Sequence, residues 1–276
     1  MTHDVTRLGQ GVLLTLLILA GQSLSWGAAG RGGGQFPNFQ EDLAAAYSRL
    51  TAMKKWDAEA DSKLKLEMAN LTDRYILARL NAQPSPDASS LEADLNEAFS
   101  QAIGHMSAPE LEKFWGEAHY ASVLIERPLV NTYIIGYVIP HGNTSLDVIE
   151  IAQLIAGSYR FSARGGAEMQ DYTLRLREVS PREGKVRFVA YGQRLEANES
   201  PLSVVLYQFD GRSLSPLWSR SQLWQGTVQI ADGSVTLTFQ DPARFQKSTP
   251  PYFRREEYVE TDTGLRLLSQ GWADAP

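Results

Sequence analysis

Residues 202–239 read LSVVLYQFDGRSLSPLWSRSQLWQGTVQIADGSVTLTF, a stretch in which short runs of alternating apolar and polar residues are separated by turn residues. Asp210-Gly211 lies between two of these runs, and Asp232-Gly233 lies between two others. Asp-Gly between alternating runs is among the strongest short-range signals for a β-hairpin, because both residues tolerate the positive φ angles of a tight turn. The stretch therefore predicts two consecutive antiparallel hairpins.

The same pattern continues on both sides of this stretch. Further runs with strand character are 173–179 with 185–191, 252–260 with 265–268, 132–139, and 147–161. Four successive hairpins with these additional segments predict an antiparallel meander of about eight to ten strands. Such a meander closes into a barrel or folds into a sandwich, because both arrangements bury the apolar face of each strand.

Ahead of the strands, the spacing of apolar residues is helical. Between Asn38 and Gln83 there is neither Gly nor Pro, and apolar residues recur every three or four positions. This pattern predicts either one long helix or two helices broken near residues 57–62. A second piece with Leu91 and Phe99 on one face follows, and a third helix is predicted from Ser107 up to Leu124.

The fold class predicted from these patterns is α+β. An α-helical hairpin or small bundle over residues 38–127 precedes an antiparallel β domain over residues 128–276. The helical region contains nine basic and fifteen acidic residues, whereas the β region contains fifteen and sixteen. The net charge of −6 therefore belongs to the helices, and together with a pI near 5.3 it argues against nucleic acid as a partner.

The first residues have the pattern of a secretory signal peptide. The apolar run 12–20 follows Arg7 and is far shorter than the roughly 20 residues of a membrane-spanning helix. Small residues at Gly27 and Ala29 predict cleavage after Ala29, which assigns 1–29 to the signal and 30–37 to a flexible Gly-rich linker. The alternative is a retained signal anchor. The cleaved protein is expected to be secreted or periplasmic, without a transmembrane span, and with no cysteine it must be stabilised without disulfides.

Common catalytic and cofactor motifs are absent from the sequence. There is no G-x-S-x-G, H-E-x-x-H, P-loop or G-x-G-x-x-G pattern, so no cofactor is predicted. His105 and His119 do not have metal-ligand spacing, and no metal site is predicted. His141, in a Pro-His-Gly-Asn turn, is a candidate general base with Asp147 and Glu150 as neighbouring carboxylates, although the same residues also make an ordinary turn.

A second candidate site lies among the aromatic residues of the β region. Trp218 and Trp224 flank a short segment that contains Arg220. Flat apolar rings beside a guanidinium suit a small-molecule, glycan or lipid ligand, although core packing explains most such rings equally well.

Three functions are compatible with these observations. The first is an exported non-enzymatic protein whose β domain binds a ligand or an envelope partner, and the lack of catalytic motifs favours it. The second is a secreted or periplasmic hydrolase that acts on an extracellular or envelope polymer. The third is an assembly or scaffold protein whose helical region packs against a protein partner.

Overall fold

The computed structural model describes residues 38–53, 57–82, 86–103, 120–126, 131–141, 144–179, 185–194, 201–231, 233–247 and 250–274. These residues all belong to one compact unit that extends from Gln35 to Pro276. The predicted signal peptide and linker lie outside the described residues, as do most of the third predicted helix and the two histidines His105 and His119.

Three helices precede the strands among the described residues: α1 (Phe39–Thr51), α2 (Ala58–Ala82) and α3 (Ala88–Ile103). Two helices rather than one long helix therefore occupy the first Gly- and Pro-free segment. Asp57 marks the start of α2, because its Oδ1 accepts hydrogen bonds from the backbone N–H groups of Glu59 and Ala60 at 3.0 and 3.2 Å. None of the described helices is long and apolar enough to cross a bilayer.

Twelve described strands form three antiparallel four-stranded sheets. Sheet 1 contains β1 (Ala121–Glu126), β2 (Thr132–His141), β3 (Thr144–Ile155) and β4 (Ser158–Gly165); sheet 2 contains β5 (Arg175–Glu178), β6 (Val186–Gln193), β7 (Leu202–Phe209) and β8 (Leu214–Leu223); sheet 3 contains β9 (Thr227–Ala231), β10 (Ser234–Gln240), β11 (Phe253–Thr261) and β12 (Gly264–Ala273). Each sheet is a meander in which consecutive strands are neighbours. A short helix, α4 (Pro242–Gln246), connects β10 to β11.

This architecture confirms the α+β class and shows that the barrel, one of the two expected forms beside the sandwich, was wrong. Each sheet is open at both ends among the described residues, and the strand count exceeds eight to ten. Residues 147–161 contain parts of two strands, because the chain reverses at Ala156 and Gly157, whose φ angles are 52° and 82°. Leu124, placed at the end of the third helix by its spacing, lies in β1, so β structure begins within the range 38–127.

The sheets and helices are arranged in layers that share three hydrophobic clusters. One cluster joins the helices to sheet 1, the second joins sheet 1 to sheet 2, and the third joins sheet 2 to sheet 3. Sheet 1 takes part in two clusters because both of its faces are buried. On strand β2, Tyr137 packs with the helices on one face, and Val138 packs with sheet 2 on the other. The apolar stripe of the helices thus covers sheet 1.

Helix side chains also cover the two outer strands of sheet 1. Asn96 of α3 accepts from the backbone N–H of Ala121 at 3.0 Å and donates to its carbonyl at 3.0 Å. Asn81 of α2 makes the same pair of contacts with Tyr159 of β4, at 2.7 and 3.2 Å. Each amide thereby satisfies a peptide group that an edge strand otherwise leaves open to another chain.

A buried ion pair fastens sheet 2 to sheet 3. Arg187 of β6 and Glu260 of β11 are each only 2% exposed, with Nη1 of the arginine 2.9 Å from Oε1 of the glutamate. The same guanidinium donates to the side chain of Gln208 and to the backbone carbonyls of Thr261 and Asp262. All five of its N–H groups are therefore used, which is the condition for tolerating a charge inside a protein.

Candidate functional site

The three predicted catalytic residues do not form one site. Asp147 and Glu150 are three positions apart on β3, and their side chains lie on opposite faces of sheet 1. His141, at the end of β2, faces the helices and contacts neither of them. Its Nδ1 instead lies 2.7 Å from Oδ1 of Asp61, which is in the first turns of α2.

Asp61 is the centre of a small polar cluster at this end of sheet 1. Its second oxygen, Oδ2, lies 3.0 Å from Nζ of Lys65, which also donates to Oγ1 of Thr144 at 2.8 Å. Asp61 and Lys65 are both buried, whereas His141 is partly exposed. A carboxylate at Nδ1 orients the imidazole and leaves Nε2 as the nitrogen able to exchange a proton with a bound molecule.

Glu150 belongs to a second cluster farther along α2. Arg164 of β4 contacts Glu150 through Nε and Asp73 through Nη2, and the Tyr137 hydroxyl donates to Asp73 Oδ1 at 2.6 Å. Burial, together with the charge of Asp73, raises the pKa of Glu150 to about 8, although Arg164 opposes the change. Burial also raises the pKa of Asp73. These groups satisfy one another, so the cluster ties α2 to sheet 1.

Asp147 lies between sheets 1 and 2, where Oγ of Ser145 donates to its Oδ2 at 2.6 Å. Burial raises the pKa of Asp147 well above its usual range, and its Oδ1 has no hydrogen-bond partner among the described residues. Among all the residues that the structure describes, no three His, Asp or Glu side chains are placed to hold a metal ion.

The predicted ligand-binding residues lie mainly in one larger group. We call it the arginine–tryptophan cluster, and it consists of Trp218 and Arg220 on β8, Arg244 on α4, Arg254 and Glu256 on β11, and Trp272 on β12. Residues two apart on a strand point to the same face, which brings Trp218 beside Arg220 and Arg254 beside Glu256.

Glu256 holds the cluster together. Its Oε2 accepts from Nη2 of Arg220 at 2.9 Å and from the Tyr258 hydroxyl at 2.6 Å, and its Oε1 lies 2.9 Å from Nε of Arg254. The carboxylate is almost fully buried, whereas the side chains of Arg220 and Arg254 are 40% and 35% exposed. The acid therefore sits beneath two guanidinium groups that face solvent.

Aromatic rings line both sides of these arginines. The Trp218 ring meets Tyr258 edge to face with 4.9 Å between centroids, and Arg220 lies 5.7 Å from the centre of the Phe239 ring. Arg244 lies over the Trp272 indole at 3.8 Å, and that indole is 47% exposed. Such stacking orders a guanidinium while its N–H groups remain free to bind.

The cluster carries a surplus of positive charge in a chain whose net charge is −6. Arg220 and Arg254 contact a single carboxylate, that of Glu256, and Arg244 adds a third positive charge at Trp272. Their hydrogen bonds between described residues leave several N–H donors unused, and Nε of Arg220 is buried without an acceptor. The arrangement suits an anionic group arriving from solvent.

From the sequence, Trp218 and Arg220 of this cluster were named as candidate ligand-binding residues, together with Trp224. Trp224 lies in the turn after β8, where its carbonyl accepts from the Gln240 N–H at 2.8 Å, and no ring contact among the described residues joins it to the cluster. Arg254, Glu256 and Trp272 were missed, because they belong to a different sheet from Arg220. The alternation of Arg254 and Glu256 along β11 was the available signal.

No protein-family profile matches the chain, and no curated protein sequence matches it significantly. Two matching solved structures are of α-L-arabinofuranosidases from Fusarium graminearum: a point mutant of Arb93A with an iminosugar inhibitor, and the GH93 enzyme with arabinobiose. Each has a TM-score of 0.33 and 12% identity; they cover 55% and 57% of this chain, and 47% and 50% of their own. The chain thus spans about half their length, and similarity at this level carries no argument.

Proposed function

We propose that this is an exported, non-enzymatic protein that binds an anionic ligand at the arginine–tryptophan cluster. The observation that carries the proposal is the arrangement of Arg220 and Arg254 over the buried carboxylate of Glu256. That carboxylate fixes the two guanidinium groups, so little conformational entropy remains to be lost when a ligand binds.

An acidic glycan is the ligand class that fits best. The fork of a guanidinium binds a carboxylate in two places, and the exposed indole of Trp272 offers a flat apolar surface for a sugar ring. The predicted signal peptide supports this choice, because it would deliver the protein to a compartment where such polymers occur. The layers of the β domain are filled by side chains, which favours a ligand on the surface.

Calorimetric titration with an oligogalacturonate, beside its uncharged methyl ester, tests this proposal. Arg254→Gln should weaken binding of the acid at least about tenfold, and added salt should weaken binding to the unmodified protein. Arg177→Gln is the matched control, because Arg177 is exposed on β5, away from the cluster. Equal affinity for acid and ester, or equal losses in the two variants, would count against the proposal.

The cluster at His141 supports a second candidate function, a hydrolase. The 2.7 Å contact between His141 Nδ1 and the buried Asp61 favours this candidate, since a histidine oriented in this way can take a proton from an attacking water through Nε2. We would assay turnover of envelope polysaccharides by the unmodified protein and by His141→Ala. An enzyme of this kind should lose turnover in the variant while its unfolding midpoint stays nearly unchanged. Turnover that survives the substitution would exclude His141 as the base.

A further inference from the structure

Five of the six outer strands described have a covering side chain, a short length or a proline, each of which discourages pairing with another chain. The Asn96 and Asn81 amides cover β1 and β4. Strands β5 and β9 have only four and five residues, and β8 contains Pro216 and two register shifts. Short strands, proline, irregular register and covering side chains are the usual protections of a sheet edge.

Strand β12 differs from the other outer strands. It has ten residues, and every residue from Arg266 to Trp272 is exposed. Arg266 is its single charged residue, and Leu268 and Trp272 are 60% and 47% exposed. The beginning of β12 lies close to β8: an added Cβ at Gly264 would stand 3.2 Å from the Leu217 carbonyl oxygen, and Leu265 is buried in the cluster between sheets 2 and 3.

One irregularity interrupts β12. Its pairing with β11 skips Leu268, because Tyr258 is opposite Leu267 while Glu257 is opposite Ser269. A bulge of this kind bends the strand locally, but it places an apolar side chain at the surface where a protective charge would otherwise be expected. From Ser269 to Ala273 the pairing is regular.

We propose that β12 pairs antiparallel with β12 of a second copy of this chain, joining the two copies of sheet 3 into one continuous sheet. A long, charge-poor and apolar edge strand is a ready template for such pairing. The pairing requires no bound ligand, although Trp272 belongs both to β12 and to the arginine–tryptophan cluster.

The charges at the two ends of the strand favour a second copy as the occupant. Arg266 lies near the beginning of β12 and Asp274 follows its end, and both are exposed. In an antiparallel pair related by a twofold axis near Gln270, each end meets the opposite end of the other copy. Because the pairing skips Leu268, Arg266 lies opposite Ala273 and next to Asp274, and this contact occurs twice. The same axis places Trp272 opposite Leu267, which is 42% exposed, so that two large apolar side chains are withdrawn from water in each copy.

Light scattering after size-exclusion chromatography tests the proposal. Between about 1 and about 100 μM, the mass should rise towards twice the 30.6 kDa of the chain. The chain from Gly30 should be measured in parallel, so that association through the apolar run 12–20 is recognised. Backbone amides from 269 to 273 should exchange with deuterium more slowly at the higher concentration.

Two substitutions with matched exposure complete the experiment. Leu268→Lys should raise the dissociation constant of the dimer at least about tenfold, because it buries a charge at the new strand pair. Leu66→Lys on α2, where the leucine is 50% exposed, should leave association unchanged. A monomer throughout the concentration range, association seen only with the leader, or a dimer insensitive to Leu268→Lys would each overturn the proposal.

Discussion

Replacing Arg187 with methionine should reveal how far the fold depends on the ion pair between sheets 2 and 3. The guanidinium makes all five of its hydrogen bonds inside the protein, and Glu260 beside it is 2% exposed. In Arg187→Met the carboxylate stays buried and loses this partner, and the carbonyls of Thr261 and Asp262 lose a donor. Removing one member of a buried pair costs about 3–5 kcal/mol, so the free energy of unfolding should fall by that amount.

Urea denaturation at pH 7 measures this loss, provided that the m-value is unchanged. Two further variants separate the ion pair from the loss of the side chain itself. Arg187→Met combined with Glu260→Met should recover most of the stability, because two apolar side chains of similar size replace the pair without leaving a buried charge. Arg177→Met, at an exposed position, should stay within about 0.5 kcal/mol of the unmodified protein.

Two results would refute this reasoning. A loss below about 1 kcal/mol in Arg187→Met would mean that water reaches Glu260 and that the pair is not buried as described. The second result is a double variant that is no more stable than Arg187→Met. It would mean that the loss of stability comes from the missing arginine side chain and its hydrogen bonds, and not from the buried charge of Glu260.

Two further predictions concern sheets 1 and 2. Because the pKa of Glu150 is raised to about 8 from 4.5, this group stabilises the fold fully below pH 4.5 and the contribution is lost as the pH rises through 8. The urea midpoint should therefore fall less between pH 5 and pH 9 in Glu150→Gln than in the unmodified chain. The same fall in both proteins would contradict the raised pKa of Glu150. Gly192→Ala should lower the unfolding free energy by at least about 2 kcal/mol, because its Cβ would lie 1.6 Å from the Thr173 carbonyl oxygen. Gly271→Ala is the control in the same measurement, because a Cβ added at Gly271 has no heavy atom within 4 Å. Similar losses of unfolding free energy in the two variants would contradict the close approach of Gly192 to Thr173.

Turns were predicted where their own residues favour the turn conformation and were missed where they do not. The Asp210-Gly211 turn was predicted correctly because its hydrogen bonds join neighbours: Asp210 Oδ1 accepts from Arg212 and Ser213 at 2.9 and 2.8 Å. The Ala156-Gly157 turn was missed, because alanine gives no signal for the positive φ angle that the hairpin imposes there. Strand β1 was also missed, because Leu124 continues the helical spacing of apolar residues and no Asp-Gly or Asn-Gly dipeptide separates the strand from β2.

Patterns in the sequence were sufficient to predict the α+β class, the four downstream hairpins and the division of charge between helices and strands. Each of these depends on residues close together in the chain. Only the tertiary structure decided that His141 meets Asp61 rather than Asp147, and that Arg220 meets Glu256. Such charged side chains are brought within hydrogen-bonding distance when apolar layers stack, and the stacking depends on how whole faces pack rather than on any local pattern.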